Sequence, residues 1–281
     1  MTAIIGIVVS STPLLFASFG ALITELAGVL GIFIEGFMNI GAFLAYFFTV
    51  KTGSARMASC LTAVLCMGAG WGLARFVSVS GANPFIVGLG VNLLAEGLTS
   101  ALSQAWFGTR GVLRTTTGLD TARFLPIFTC AAIGCFALAW FTVYRTKLGL
   151  RLRAVGVSTR FAEERGIDTA SIIAGAWAVG ALFAALAGLC LTFRVGAYTP
   201  GGAGGRGWIS LAAVFLGFRR VWGTALAALL FTIAERAGIM AQGSSILPTT
   251  ALLGLPSLLA FLFYTLSCIV KEIKKKAKEN G

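Results

Sequence analysis

Nine stretches of this sequence are too apolar to sit in water, and the segments between them are too short to cover them. They run at about 4–22, 28–50, 57–77, 84–106, 124–144, 172–193, 207–218, 221–240 and 247–270. A helix needs about 20 apolar residues to cross the hydrocarbon core of a bilayer, and all but 207–218 approach that length. Only 11% of the 281 residues are charged, against roughly 25% in a soluble domain. A soluble enzyme, a disordered chain and a fibrous protein are excluded. Backbone polar groups in lipid must be satisfied within the chain, so the expected fold is all-α. We expect one polytopic transmembrane domain over residues 1–281, with about nine helices. The run at 207–218 is expected to be broken or short, and a re-entrant piece near 23–36 is the main alternative.

Charge sets the orientation. The connector 145–171 holds six basic residues, and the tail 271–281 holds five lysines. Positive residues favour the cytoplasmic side, so both segments are placed inside. Four runs separate them, an even number, and Arg219 and Arg220 then also fall inside. Counting back puts the N-terminus outside and the C-terminus inside. The connectors 107–123 and 194–206 are placed outside, and 14 basic residues lie inside against 8 outside. The net charge of +12 is therefore assigned to topology and to anionic lipid headgroups, not to nucleic acid.

Much chemistry is absent. No histidine occurs, which removes Ser-His-Asp and Cys-His catalysis and the H-E-x-x-H zinc pattern. No P-loop sequence is present, and no catalytic residue or metal site is expected. The six cysteines lie within apolar runs without C-x-x-C spacing and are read as small hydrophobes. The glycine-rich stretch 201–207 has the composition of a phosphate nest, but it follows no strand and is read as a flexible connector.

Charged side chains inside a membrane span cost roughly 2.5–3.5 kcal/mol each on insertion scales, so the few that remain need a reason. Glu35 and Asn39 stand four apart in the second run, and Asn92 and Glu96 four apart in the fourth. Gly88, Asn92, Glu96, Ser100 and Ser103 share one helical face. Such a stripe faces either a neighbouring helix or a solute route. Glu25, beside Thr24, is expected to cap a helix. Gly68 with Gly72, and Gly180 with Ala184 and Gly188, have the spacing that lets helices approach closely within one subunit.

The residues from Thr24-Glu25-Leu26-Ala27-Gly28 through Glu35-Gly36 and Asn39 to Gly41-Ala42 also carry a resemblance. This segment resembles the signature of ABC importer permeases serving ribose, nucleosides and branched-chain amino acids. It is nearest the nucleoside and simple-sugar branch, which reads T-E-R-A-G-V-x-N-I-G-x-E-G and then G-A-F. Leu152-Arg153-Ala154-Val155-Gly156 followed by Ala162-Glu163-Glu164-Arg165-Gly166-Ile167 is similar to the family's cytoplasmic coupling loop. Asn83–Asn92 and Gly205–Gly217 continue the likeness in the same order. Leu26 replaces the usual Arg, Phe33 stands where Gly is common, and Val221 stands where Pro usually follows the G-x-W turn.

The resemblance implies a permease subunit in a bacterial inner membrane. Its partners would be an ATP-binding subunit, a second permease subunit, an extracytoplasmic substrate-binding lipoprotein and membrane lipid. ATP and Mg would bind to the ATPase, leaving no cofactor on this chain. Phe33, Glu35, Asn39, Asn92 and Glu96 are expected on the translocation path. Arg153, Ala154, Gly156, Ala162, Glu163, Glu164, Gly166 and Ile167 are expected in the ATPase coupling loop, with Gly156 and Gly166 bounding a short helix. A nucleoside or a riboflavin-like ligand is the expected solute; Phe33, two residues before Glu35, either offers a flat ring to such a ligand or packs in the core. A simple sugar or a branched-chain amino acid is the alternative. A stand-alone secondary transporter would use the two buried acids, but the sequence has no clear internal repeat.

Overall fold

The computed structural model describes residues 2–114 and 121–241, with side chains over 6–114 and 126–240. The run at 247–270 and the tail 271–281 lie outside the described residues. The helices are α1 (Thr2–Leu26), α2 (Ile34–Thr52), α3 (Ala55–Ser80), α4 (Pro84–Phe107), α5 (Thr121–Arg145), α6 (Lys147–Val157), α7 (Thr159–Glu164), α8 (Thr169–Val195), α9 (Arg206–Leu216) and α10 (Val221–Ala241). Two short strands, β1 (Leu113–Arg114) and β2 (Ala197–Tyr198), complete the described chain. Six of these helices, α1, α3, α4, α5, α8 and α10, are long and apolar enough to cross a membrane.

The core is organised around α8, which packs against α1, α2 and α3. Trp177 and Ala181 are fully buried along it, and small residues bring the neighbouring backbones almost into contact. A methyl group on Gly188 would lie 1.9 Å from the Met38 carbonyl oxygen, and one on Gly41 would lie 2.5 Å from Ala185 Cα. The Gly180–Ala184–Gly188 row therefore packs within the subunit, as its spacing suggests. Gly68 and Gly72 do not: no described atom lies within 4 Å of a methyl placed on either. Gly70, midway between them and so on the opposite side of α3, meets Ala181 and Trp177 instead.

Connector pairings define two ends of the bundle. Leu113 pairs with Tyr198 and Arg114 with Ala197 in an antiparallel ladder, so the segments after α4 and after α8 share one end. At the other end, Gly156 of α6 abuts the turn after α1; a methyl there would lie 2.1 Å from the Leu26 carbonyl oxygen. Arg219, in the turn between α9 and α10, reaches Glu25 at that same end, 2.7 Å away.

The second apolar run differs most from its sequence outline. Helix does not begin at 28 but at Ile34. Gly28 adopts φ +81, a conformation that costs glycine little, and its backbone lies against Gly156. Residues 27–33 then climb as irregular chain, with Ile32 and Phe33 buried. Apolar composition could not separate this stretch from helix, because the core requires the same side chains of both.

Candidate functional site

Two helices therefore begin inside the bundle rather than at its surface. Phe33, just before α2, reaches Gly180 near the middle of α8. An α-helix leaves its first N–H groups without partners, and in lipid these must be met by side chains. At α2 the partner is Asn92, from α4. Its Oδ1 accepts the Gly36 N–H at 2.7 Å, and its Nδ2 donates to the Ile32 carbonyl at 2.9 Å. One amide thus bridges both sides of the break.

At α9 the partner is Glu35. Its Oε1 accepts from the Gly205 N–H at 2.8 Å and its Oε2 from the Gly207 N–H at 2.6 Å. Asn39, one turn further along α2, accepts from the Ala203 N–H at 3.2 Å. The glycine-rich stretch is thus a nest for an anion, and the anion is the chain's own carboxylate. Hydrogen bonds to an ionised acceptor are short and strong, and the positive end of the α9 dipole favours the charge. Glycine is needed here for approach: a methyl on Gly207 would lie 2.7 Å from Glu35 Cα. Gly204 and Gly205, at φ +56 and +80, form the left-handed turn that aims the amides.

A cavity of about 490 Å³ opens at this junction, lined by Glu35, Asn39, Asn92 and Glu96 together with Leu89, Trp208 and the glycines of the loop. Four of the five residues expected on the path are brought together there. Glu96 is exposed on α4. Trp208 was not singled out in the sequence; its place two residues into a helix capped by Glu35 is the signal that would have marked it. Phe33 is not among the residues lining this cavity. Its ring is fully buried, 4.6 Å from Trp177 and 5.5 Å from Phe37 between centroids, because the break at 27–33 turns it toward α8 and away from the cavity. Ser103 also leaves the stripe, donating to the Thr109 carbonyl at 2.7 Å.

Glu25 is not a helix cap. It lies in the last turn of α1, nearly buried, where it pairs with Arg219. Phe218 and Arg219 hold φ values of +54 and +56, unusual for residues with side chains, and the ion pair helps to hold that turn.

The 145–171 connector forms two short helices, not one. Thr146 caps α6 and Ser158 caps α7 through side-chain oxygens. Gly166 ends α7 at φ +74, with the Ile167 N–H returning to the Ala162 carbonyl at 3.0 Å, a common helix stop. Gly156 is the last residue but one of α6, so α7 is the short helix lying between Gly156 and Gly166; the missing side chain of Gly156 admits Leu26 and Gly28. Ala162 is fully buried and Ala154 partly so. Arg153 reaches the Gly149 carbonyl and lies over the Tyr144 ring, Glu163 accepts from Thr169, and Glu164 pairs with Arg160. Asp168 caps α8 through the Ser171 N–H, and hydrogen bonds from the Ser171 hydroxyl and amide hold its carboxyl below the usual range. Leu148, Leu150, Val157 and Phe161 remain exposed on this hairpin.

Residues 3–266 match the family described as the branched-chain amino acid transport system / permease component. The ABC transporter permease protein TsgC13 of Haloferax volcanii, whose name gives glucose as a provisional substrate, is 30% identical over 84% of this chain and 77% of its own. The nucleoside ABC transporter permease protein NupC of Lactococcus lactis is 30% identical over 80% of this chain and 78% of its own. The guanosine ABC transporter permease protein NupQ of Bacillus subtilis is 27% identical over 87% and 85%. No solved structure matches the chain significantly.

Proposed function

Because the chain belongs to the branched-chain amino acid transport system / permease component family, we propose that it is the membrane-spanning subunit of an ATP-driven importer in a bacterial inner membrane. An ATPase pair supplies the energy and a binding protein delivers the solute. The observation that carries the path is that Glu35, Asn39, Asn92 and Glu96, from two otherwise apolar helices, line one cavity. Three of the four close helix starts or the glycine loop, and Glu96 is left to face the solute. The exposed apolar side chains of α6 and α7, among Arg151, Arg160 and Arg165, suit an ATPase groove. A second permease subunit completes the route on the open side of α4.

The solute we favour is a nucleoside. The cavity lining combines carboxylates, amides and the Trp208 indole and includes no Lys or Arg, which suits a neutral ligand rich in N–H and O–H donors. The nucleoside and guanosine relatives support the same reading. A simple sugar is the second reading, favoured by the relative named for glucose. A flavin loses its structural support with the burial of Phe33. The test is uptake of labelled guanosine and glucose in cells expressing the chain together with an ATPase subunit and a binding protein of this importer type. Uptake of guanosine that requires the ATPase, and falls about tenfold or more in Glu96→Leu, is expected; a lost charged hydrogen bond of roughly 1.5–3 kcal/mol accounts for it. Uptake that survives without the ATPase would make the chain a stand-alone carrier.

A further inference from the structure

The junction of the two broken helices is not the largest opening among the described residues. A cavity of about 660 Å³ lies at the strand-ladder end, between the first half of α1, the last turns of α8 and α10, β2 and the start of α9. Arg194, Arg206 and Arg236 line it, against the single carboxylate of Glu235. Arg206 pairs with Glu235. Arg194 donates to the neutral Ser10 hydroxyl at 3.3 Å. The Arg236 guanidinium lies beside α1, 3.0 Å from where a methyl on Gly6 would stand. Arg194 also feels the positive charges of Arg236 and Arg206, so the cluster repels itself.

No other described carboxylate neutralises it. Of the ten acids, Glu25 is committed to Arg219, Glu35 to the α9 amides, Glu163 to Thr169, Glu164 to Arg160 and Asp168 to the α8 cap. Glu96 lines the other cavity. No acid occurs from 242 to 271, directly after α10, and Glu272 and Glu279 lie among the lysines of the tail. Asp120, like these two, lies outside the described residues.

We propose that this cavity binds the phosphodiester headgroup of an anionic phospholipid. Guanidinium forks match phosphate oxygens in geometry and charge, and unpaired cations between membrane helices are costly without such a partner. The apolar lip decides between a lipid and a free anion. Ile239 and Met240 border the cavity with 57% and 74% of their surface exposed, where an acyl chain gains contact and inorganic phosphate gains none. A basic pocket beside an apolar edge presents guanidinium forks to a headgroup phosphate and an apolar surface to its acyl chains.

The experiment is native mass spectrometry of the full chain released from micelles containing phosphatidylglycerol and phosphatidylcholine, with and without inorganic phosphate. Wild type is expected to retain phosphatidylglycerol about tenfold or more over phosphatidylcholine. Arg194→Gln with Arg236→Gln should abolish that preference, whereas Arg194→Lys with Arg236→Lys should keep most of it. Glu235→Gln, which frees Arg206, should raise it. An unchanged preference in the double glutamine variant, or no gain in Glu235→Gln, would overturn the site. Displacement of the lipid by inorganic phosphate at millimolar concentration would replace the lipid with a free anion and overturn the proposal.

Discussion

Helix α8 and the pair α2 and α9 share one bundle but solve the backbone problem differently. α8 runs 27 residues without interruption, so its backbone satisfies itself and most of its side chains pack. Its contacts are mainly methyl groups, glycine backbones and buried rings, with the Thr192 hydroxyl donating to the Ala42 carbonyl of α2 at 3.0 Å. α2 and α9 start inside the bundle and leave amides open, so Asn92, Glu35 and Asn39 are spent on closing them. Polar residues in an apolar chain thus mark where helices break as well as where a solute passes. Here the two coincide, since the closing side chains also line the cavity.

That contrast gives graded expectations. The largest loss should come from overfilling α8. Gly188→Leu drives a side chain into the Met38 carbonyl region, and about 3 kcal/mol or more of destabilisation is expected from backbone displacement. Size-exclusion chromatography should show aggregated or absent protein, and normal monodisperse protein would mean that the α2–α8 contact is looser than described. Next, Glu35→Ala strips two amides of their acceptor, at a cost of roughly 2–4 kcal/mol if water replaces neither. Glu35→Gln keeps one acceptor and should recover about half of the thermal shift. Equal melting of both variants and wild type would remove the clasp.

Asn92→Leu should cost about 1–3 kcal/mol, because it opens the α2 start alone. Asp168→Asn should have the smallest effect. Hydrogen bonds to Ser171 lower the Asp168 pKa below 3.8, so its contribution to the folded state is complete above the unfolded pKa. It fades as pH falls through the lowered folded value. The variant should lose this small contribution at neutral pH and converge with wild type as the pH falls below the ordinary aspartate range, which gives it the flatter acid limb in thermal melts. A steep acid limb retained in the variant would assign that limb to other carboxylates.

Much of the architecture was legible because hydropathy reports burial directly. The six long spans, the short run at 207–218 and the close row on α8 follow from it. The break at 27–33 was legible only as the alternative of a re-entrant piece near 23–36, since its side chains are as apolar as helix interior and a left-handed Gly28, at φ +81, opens it. Glu35 and Asn39 stood out as polar residues, whereas the glycine stretch, despite its nest-like composition, was read as a flexible connector. Their mutual engagement spans about 170 residues of sequence, beyond the reach of any local pattern. The burial of Phe33 was hidden for the same reason: its position next to Glu35 says nothing of its direction once the helix is interrupted between Gly28 and Ile34.

The central claim is that the Glu35 carboxylate holds the start of α9 through the Gly205 and Gly207 amides. Residue-resolved hydrogen exchange of the intact protein in nanodiscs measures those two amides directly. Both are expected to be protected in wild type and to exchange about tenfold or more faster in Glu35→Ala, the loss of roughly 1.4 kcal/mol or more of local protection, while α8 amides stay unchanged. Free exchange of Gly205 and Gly207 in wild type, or identical protection in the variant, would contradict it.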